Sequence, residues 1–169
     1  MIKMRDLAWA LAYPFYQLVG TLRHEAAHAL VARLEGARIQ RFVWWPTFRG
    51  SARVRWGYVA WQGESSWLAI AAPYLLDPLT FGVAYLVCAR GLIRCRWLWV
   101  NVVILGIVSP LVNSAYNYWG GFGSVNDVGR LLRALPPAVV HGYFAATLAL
   151  YLVGFGMVWA YIPGGQSDR

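Results

Sequence analysis

The chain is poor in charged residues. Only 13% of its 169 residues are charged and 59% are hydrophobic, whereas a soluble domain carries roughly 25% charged residues. This shortage argues against a soluble globular protein and indicates that lipid is part of the solvent. Ten tryptophans and ten tyrosines agree with it, because amphipathic rings collect at membrane interfaces. The length allows one membrane-embedded domain, residues 1–163, and no second sizeable core.

Cysteines and acidic residues are also scarce. Cys88 and Cys95 lie in or beside an apolar run and match no metal or redox spacing, so we expect two buried thiols. The resulting net charge of +8 would suit a nucleic-acid-binding protein. However, the basic residues fall mainly between the apolar runs, as in membrane proteins that face anionic lipid. We therefore expect the lipid bilayer as a partner and no nucleic acid.

Four apolar runs are long enough to cross a bilayer, which takes about 20 residues. They predict spans at about 7–35, 65–89, 97–118 and 141–163. Residues 38–61 are rich in β-branched and aromatic residues around the turn sequence PTFRGS, which predicts a β-hairpin at the interface. Residues 164–169 predict a disordered tail. The expected fold is an α-helical membrane protein with about four transmembrane helices and a small β-hairpin or sheet after the first.

The sequence RHEAAHAL, residues 23–30, sets ionisable groups at the end of the first apolar run. His24 and His28 are four residues apart and share one face of a helix, so both imidazoles can reach one metal ion. Glu25 beside them can take a proton from water. A catalytic zinc ion takes three protein ligands and lowers the pKa of water toward about 7. The motif therefore predicts one hydrolytic zinc per chain, unless these residues are merely polar groups at the hydrocarbon edge.

A third zinc ligand is needed, and the candidates are Asp127, Asp77 and His141. With four spans, the loop that contains Asp127 opens on the side of the membrane that the HEAAH turn reaches, which favours Asp127. Asp77 lies near the middle of the second span. His141 begins the fourth span, on the same side of the membrane as the HEAAH turn. Each also has a purely structural interpretation. Asp127 would be a loop or helix-cap residue, Asp77 a polar group satisfied beside Pro78, and His141 a residue at the membrane interface.

An HExxH turn on one membrane helix, followed by an aspartate on a later one, resembles the site-2 protease family of membrane-embedded zinc metallopeptidases. The sequence HEAAHA, residues 24–29, looks like that family's zinc helix, and the hairpin after it is similar to its membrane-associated sheet. AAPY at 71–74 and NDVG at 126–129 are similar to its next two motifs. The resemblance covers most of the chain, in the same order.

The resemblance implies that His24, His28 and Asp127 bind zinc and that Glu25 activates water. It also implies cleavage of a membrane-associated or transmembrane protein in or near the bilayer. A substrate helix must unwind first, because its amides are satisfied internally. An edge of the hairpin can hold the unwound strand by β-addition; alternatively, the hairpin only anchors the domain on lipid headgroups.

The group that stabilises the oxyanion is not identified by the resemblance. Where the family usually has an asparagine a few residues after the proline, this chain has Leu76 and Asp77. The remaining candidates are polar residues near the expected site, and two of them, His141 and Asp77, are also the alternative zinc ligands. They are Asn113, Asn117, Asn126, His141 and Asp77.

Two other functions are compatible with the sequence. A non-catalytic metal-binding membrane scaffold or regulatory subunit would keep the metal turn without hydrolysis. A transporter or channel is a weaker hypothesis, because four spans with few buried charges offer little for an ion path. The substrate, the orientation in the membrane and the oligomeric state stay open.

Overall fold

The computed structural model describes residues 4–49, 53–120 and 126–159. The N-terminal half contains helix α1 and four strands before the next helix. In its described residues the C-terminal half consists of helices joined by short connections. The elements are α1 (Met4–Leu34), β1 (Arg38–Val43), β2 (Thr47–Arg49), β3 (Arg53–Arg55), β4 (Tyr58–Gln62), α2 (Trp67–Ala89), α3 (Arg96–Val103), a π-helical turn (Ile104–Val108), α4 (Ser109–Gly120), α5 (Asp127–Ala134) and α6 (Pro137–Trp159).

Three helices are long and apolar enough to cross a membrane, which agrees with the predicted membrane class. They are Trp67–Ala89, Arg96–Gly120 and Pro137–Trp159. The second is continuous through α3, the π turn and α4. Helix α1 has 31 residues but is not among these three, since the polar residues around the HEAAH motif lower its mean hydropathy. The structure therefore has three candidate spans where the sequence predicted about four.

The predicted fourth span is displaced toward the N-terminus. Helix α6 begins at Pro137 rather than at His141, because proline suits the first position of a helix, where its missing N–H is not needed. The predicted end of this span at 160–163 and the predicted tail at 164–169 lie outside the described residues. A further difference is α5, which forms inside the stretch 119–140 that was expected to be a loop.

The predicted hairpin at 38–61 forms two nested antiparallel pairs. Strand β1 pairs with β4, and β2 pairs with β3 inside them. Pro46 separates β1 from β2, where its lack of an N–H suits a break in pairing. The turn sequence PTFRGS, residues 46–51, is in part a strand, since Thr47–Arg49 form β2, and residues 50–51 lie outside the described part of the chain. The outer pair continues one residue beyond the prediction, to Gln62.

A glycine ends α1 and turns the chain back toward the bundle. Gly36 has a φ of 93°, and the N–H of Ala37 donates to the carbonyl of Ala32 at 2.9 Å, as in a common C-terminal helix motif. Glu35 then accepts a hydrogen bond from the backbone N–H of Ser66 at 2.8 Å. Since Ser66 caps the start of α2, this contact joins the end of α1 to the start of α2.

Helix α2 is the central element of the bundle and contacts all the other helices. Small side chains line its contact with its neighbours: Ala69, Ala71 and Ala72 are buried. Farther along, a Cβ on Gly106 of the π turn would lie 2.2 Å from the Cβ of Ala84. Small residues let membrane helices approach closely, and here they bring α1 within hydrogen-bonding distance of the α2 backbone.

The expectation for the cysteines is half correct. Cys88 is buried near the end of α2, whereas Cys95 is exposed. Cys95 lies in the short connection between α2 and α3, just before the first helical residue. It is therefore outside the packed helix surfaces, and the prediction of a second buried thiol is wrong.

Candidate metal centre

One turn of α1 buries three ionisable side chains. His24, Glu25 and His28 are all less than 9% exposed. The helix runs through this turn without interruption, so the four-residue spacing places both imidazoles on one face. Burying such groups is costly unless each is paired or hydrogen-bonded, and the packing of α2, α4 and α5 supplies partners.

Asp127 completes a three-residue cluster with the two histidines. It is the first residue of α5, directly after Asn126, whose side chain caps that helix by accepting from Gly129 N–H at 3.0 Å. Oδ2 of Asp127 lies 3.1 Å from Nε2 of His28 and 3.5 Å from Nε2 of His24. The two Nε2 atoms are 3.2 Å apart.

This cluster fits a metal ion by the chemistry of its donors. Two imidazole nitrogens and one carboxylate oxygen, one from each residue, all lie within 4.8 Å of one another. Catalytic zinc sites use three such protein ligands and keep a fourth position open. Among the residues described, His24, His28 and Asp127 form the group that could hold a metal ion.

The two histidines determine the ionisation of Asp127. Burial alone would raise the pKa of this carboxyl, but hydrogen bonds and charge attraction from His24 and His28 outweigh burial and hold the pKa well below its usual range. The side chain is ionised at neutral pH as a result. Metal ligands must be deprotonated, so Asp127 is already in its binding form.

The second nitrogen of His28 contacts the backbone of α2. Nδ1 lies 2.7 Å from the carbonyl oxygen of Ala69. A carbonyl oxygen can only accept, so Nδ1 carries the proton and donates it. Nε2, which faces Asp127 and His24, is then the nitrogen left to bind a metal ion, and a metal ion there would take the place of the proton that Nε2 shares with Asp127.

The second nitrogen of His24 contacts a polar network. Nδ2 of Asn113 lies 3.1 Å from Nδ1 of His24 and donates to Oδ2 of Asp77 at 2.7 Å. Oδ1 of Asp77 forms an ion pair with Arg23 at 2.9 Å. Asn117 donates to the Asn113 side chain at 3.0 Å. Asp77 is thus occupied by an arginine and an amide, and it stands behind His24 rather than in the ligand cluster.

His141 lies apart from the cluster. Its Nδ1 is 3.0 Å from the hydroxyl of Tyr118, and the two rings pack edge to face. This pair sits at the contact between α4 and α6. His141 is therefore not brought to the histidines and aspartate that could bind a metal.

A cavity of about 380 Å³ opens beside the three possible ligands, within the range typical of ligand-binding pockets. Glu25 lines it, as do three of the candidates for the oxyanion: Asn113, Asn117 and Asn126. Asp77 and His141 do not line it. Its opposite wall is formed by Trp56, Gly57, Val59 and Trp61, at and before β4.

Gly57 was not identified from the sequence, where it was only a residue of the hairpin. A Cβ at this position would lie 2.5 Å from Cγ2 of Thr21, 2.9 Å from the carbonyl oxygen of Val43 and 3.1 Å from Cγ of Glu25. Only a glycine lets this segment lie so close to the motif helix. Its one advance signal was its position just before an aromatic strand, which does not distinguish it from a turn glycine.

Arg130 was also missed. Nη1 lies 4.0 Å from Oδ1 of Asp127, and the guanidinium lies over the ring of Trp61, 5.4 Å from its centroid. It places a positive charge in the wall of the cavity, beside the possible ligands. The only hint was its position three residues after Asp127, which faces the same side of a helix.

The chain matches no protein-family model, no curated protein and no solved structure. Its site is therefore interpreted from the geometry of its own residues.

Proposed function

We propose that the protein is a membrane-embedded zinc metallopeptidase of the site-2 protease type, which hydrolyses peptide bonds of membrane-associated or transmembrane proteins. The observation that carries the proposal is the convergence of His24, His28 and Asp127, with Glu25 buried beside them at a cavity. Residues of the first helix and of α5, about a hundred positions apart in the chain, thus present three metal-binding atoms within 4.8 Å of one another.

The donor set suits zinc, with His24, His28 and Asp127 as its ligands. When bound, zinc supplies Lewis-acid activation of water and offsets the negative charge that develops on the substrate carbonyl. Glu25 takes the proton of the attacking water and passes it to the leaving amine. The amides of Asn113, Asn117 and Asn126 and the guanidinium of Arg130 are the donors that line the cavity for the oxyanion.

The outer face of α1 supports a fourth span, with the site inside the bilayer. Large apolar side chains are exposed along it from Leu11 to Leu30, about 28 Å at the rise of an α-helix. This matches a hydrocarbon thickness of about 30 Å. The exposed side chains on this face are Leu11, Phe15, Val19, Leu22 and Leu30. On this arrangement His24 and His28 lie near one end of the hydrocarbon, just before exposed Arg33 and Glu35.

The sheet next to the cavity supports an extended substrate. Strand β4 is hydrogen-bonded on one side to β1, and Val59 and Trp61 of this strand line the cavity. A peptide that pairs with β4 on the side away from β1 would lie beside Glu25 in extended form. This suits a membrane substrate whose helix has unwound, because its amides then need new hydrogen-bond partners.

The test separates metal binding from hydrolysis. Protein purified in detergent should contain about one zinc per chain and should cleave casein, used here as an unfolded probe protein. Glu25→Gln should keep its zinc and lose cleavage by about 100- to 10,000-fold, the usual contribution of a general base.

Two results would contradict the proposal. Purified wild-type protein that binds no zinc when zinc is added would remove the metal centre. Zinc binding with no cleavage of casein, or of a single-span membrane protein in the same detergent, would favour the non-catalytic scaffold instead.

A further inference from the structure

Helix α2 contains two prolines, and each deprives one carbonyl of its helical hydrogen bond. Pro73 and Pro78 have no N–H, so the carbonyls four residues earlier, at Ala69 and Tyr74, cannot be satisfied by the helix. The helix nevertheless continues through both positions. In a bilayer no water replaces the missing donors, so another part of the protein must supply them.

Each of these carbonyls accepts a hydrogen bond from a side chain of another helix. The hydroxyl of Tyr143 in α6 donates to the carbonyl of Tyr74. Nδ1 of His28 in α1 lies 2.7 Å from the carbonyl oxygen of Ala69. The two prolines therefore direct backbone acceptors to two different neighbours, and of these only His28 is part of the candidate metal centre.

A third carbonyl follows the same rule. In the π turn, the N–H of Ser109 bonds to the carbonyl of Ile104, and Pro110 has no N–H to offer to Leu105. Nη1 of Arg23 donates to the carbonyl of Leu105 at 3.0 Å. Each of the three carbonyls accepts a hydrogen bond from a side chain of a neighbouring helix. The carbonyls that a proline leaves without a helical donor therefore link the helices to one another.

We infer that Pro73 is a positioning residue of the metal centre, which frees the Ala69 carbonyl to hold His28. This inference rests on the proposed metal site. The carbonyl keeps the proton on Nδ1 and restrains rotation of the ring, so Nε2 faces Asp127 and His24. In metal sites generally, partners of this kind change metal affinity by about 10- to 100-fold.

The packing around Ala69 makes this contact possible. Ala69 and Ala32 are both 0% exposed and belong to one cluster at the contact of α1 with α2. Their small side chains let the α2 backbone approach α1 closely. An ordinary helical carbonyl in the position of Ala69 would also accept a hydrogen bond from the N–H of residue 73, and the proline removes this second donor.

The matched pair of variants is Pro73→Ala and Pro78→Ala. Each restores one N–H to α2, but only Pro73→Ala introduces a donor that competes with His28. We expect Pro73→Ala to weaken Zn²⁺ and Co²⁺ binding by about 10- to 100-fold and to alter the Co²⁺ absorption spectrum. Pro78→Ala should bind both metals within about twofold of the wild-type affinity. Affinities are measured in detergent by competition with a chelator.

Thermal unfolding of the metal-free protein distinguishes a positioning role of Pro73 from a purely structural one. Restoring a helical hydrogen bond should leave the unfolding temperature of Pro73→Ala equal to that of wild type or above it. A general packing defect would lower both unfolding temperature and metal affinity. A Pro73→Ala protein with weaker metal binding and undiminished thermal stability supports the inference.

An independent measurement covers the case in which Pro73→Ala does not fold. Nitrogen-15 NMR of the wild-type protein, with its histidines labelled and Zn²⁺ bound, should show a proton on Nδ1 of His28 and none on Nε2. The opposite tautomer would overturn the inference. So would wild-type metal affinity in a folded Pro73→Ala protein. A wild-type protein that binds neither Zn²⁺ nor Co²⁺ would overturn the proposed function as well.

Discussion

The region around Asp127 and the region around Asp77 each place a carboxylate against α1, but with different partners. Asp127 faces two imidazoles, and its side chain is 23% exposed at the wall of a cavity. Asp77 faces Arg23, and its side chain is 2% exposed. One carboxylate can meet a ligand from outside, and the other is enclosed by helices.

The difference shows how the partner decides what a buried carboxylate can do. A guanidinium is always protonated, so Arg23 neutralises Asp77 permanently and leaves no room for a cation. Imidazole is the commonest metal ligand among side chains, so the cluster of His24, His28 and Asp127 can accept a cation. The ion pair of Arg23 with Asp77 links two helices, whereas the cluster around Asp127 is suited to binding a metal ion.

The largest expected effect is the loss of metal when Asp127 is changed. We expect Asp127→Ala to reduce zinc affinity by more than about 100-fold, because even indirect partners of metal ligands account for about 10- to 100-fold. His141→Ala is the matched control and should keep about one zinc per chain. Metal analysis after dialysis measures both. If Asp127→Ala still contained about one zinc per chain, Asp127 would not be a zinc ligand. The region around Asp127 would then differ from the region around Asp77 in exposure but not in metal binding.

The next largest expected effect is a loss of stability without a loss of zinc binding. We expect Asp77→Ala to lower the free energy of unfolding by up to about 3 kcal/mol, the lower end of the cost of breaking a buried ion pair, since it leaves Arg23, whose side chain is 20% exposed, without its counter-charge. Zinc should still bind to the folded fraction. Thermal unfolding in detergent, beside zinc analysis, measures the two properties separately.

A double variant sharpens this expectation. Replacing both partners, Arg23→Leu with Asp77→Leu, should recover part of the lost stability, because no unpaired charge remains, although the carbonyl of Leu105 then loses the hydrogen bond from Arg23. A double variant as unstable as the single one would show that the ion pair is not the cause. Loss of zinc from folded Asp77→Ala would show that the two regions are not separate in function.

The smallest effect is expected at Gly57, which lies against the motif helix on the cavity side. Gly57→Ala forces the hairpin away from Thr21 and should cost about 1–3 kcal/mol of stability. Cleavage should fall by about 10- to 100-fold, the scale of a displacement near 1 Å, while zinc content is unchanged. Gly82→Ala is the control, since nothing lies within 4 Å of its added methyl. Equal behaviour of the two variants would exclude a role for this close approach.

The features predictable from the sequence are those that depend on neighbouring residues. The spacing of His24 and His28 specifies a shared helix face wherever that helix lies. Long apolar runs predicted the helices, because hydropathy is a local property. The choice of Asp127 depended on the parity of four predicted spans, of which the structure has three candidates, but the structure does bring this residue to the histidines.

The features that were missed depend on residues far apart in the chain. The role of Asp77 follows from Arg23 and Asn113, which approach it from two other helices. The importance of Gly57 follows from its distance to Thr21, and Pro73 gains a second role only because α1 lies next to the carbonyl that it frees. No local pattern contains these distances.

By itself, the sequence determined the membrane class, the helix-forming runs and the two imidazoles of a possible metal site, since composition and helical periodicity act over a few residues. The tertiary structure decided which acidic residue meets the histidines, which one is neutralised by arginine, and which backbone acceptor orients His28. Those outcomes depend on how closely α1, α2 and α5 pack, and helix packing is a property of the whole bundle.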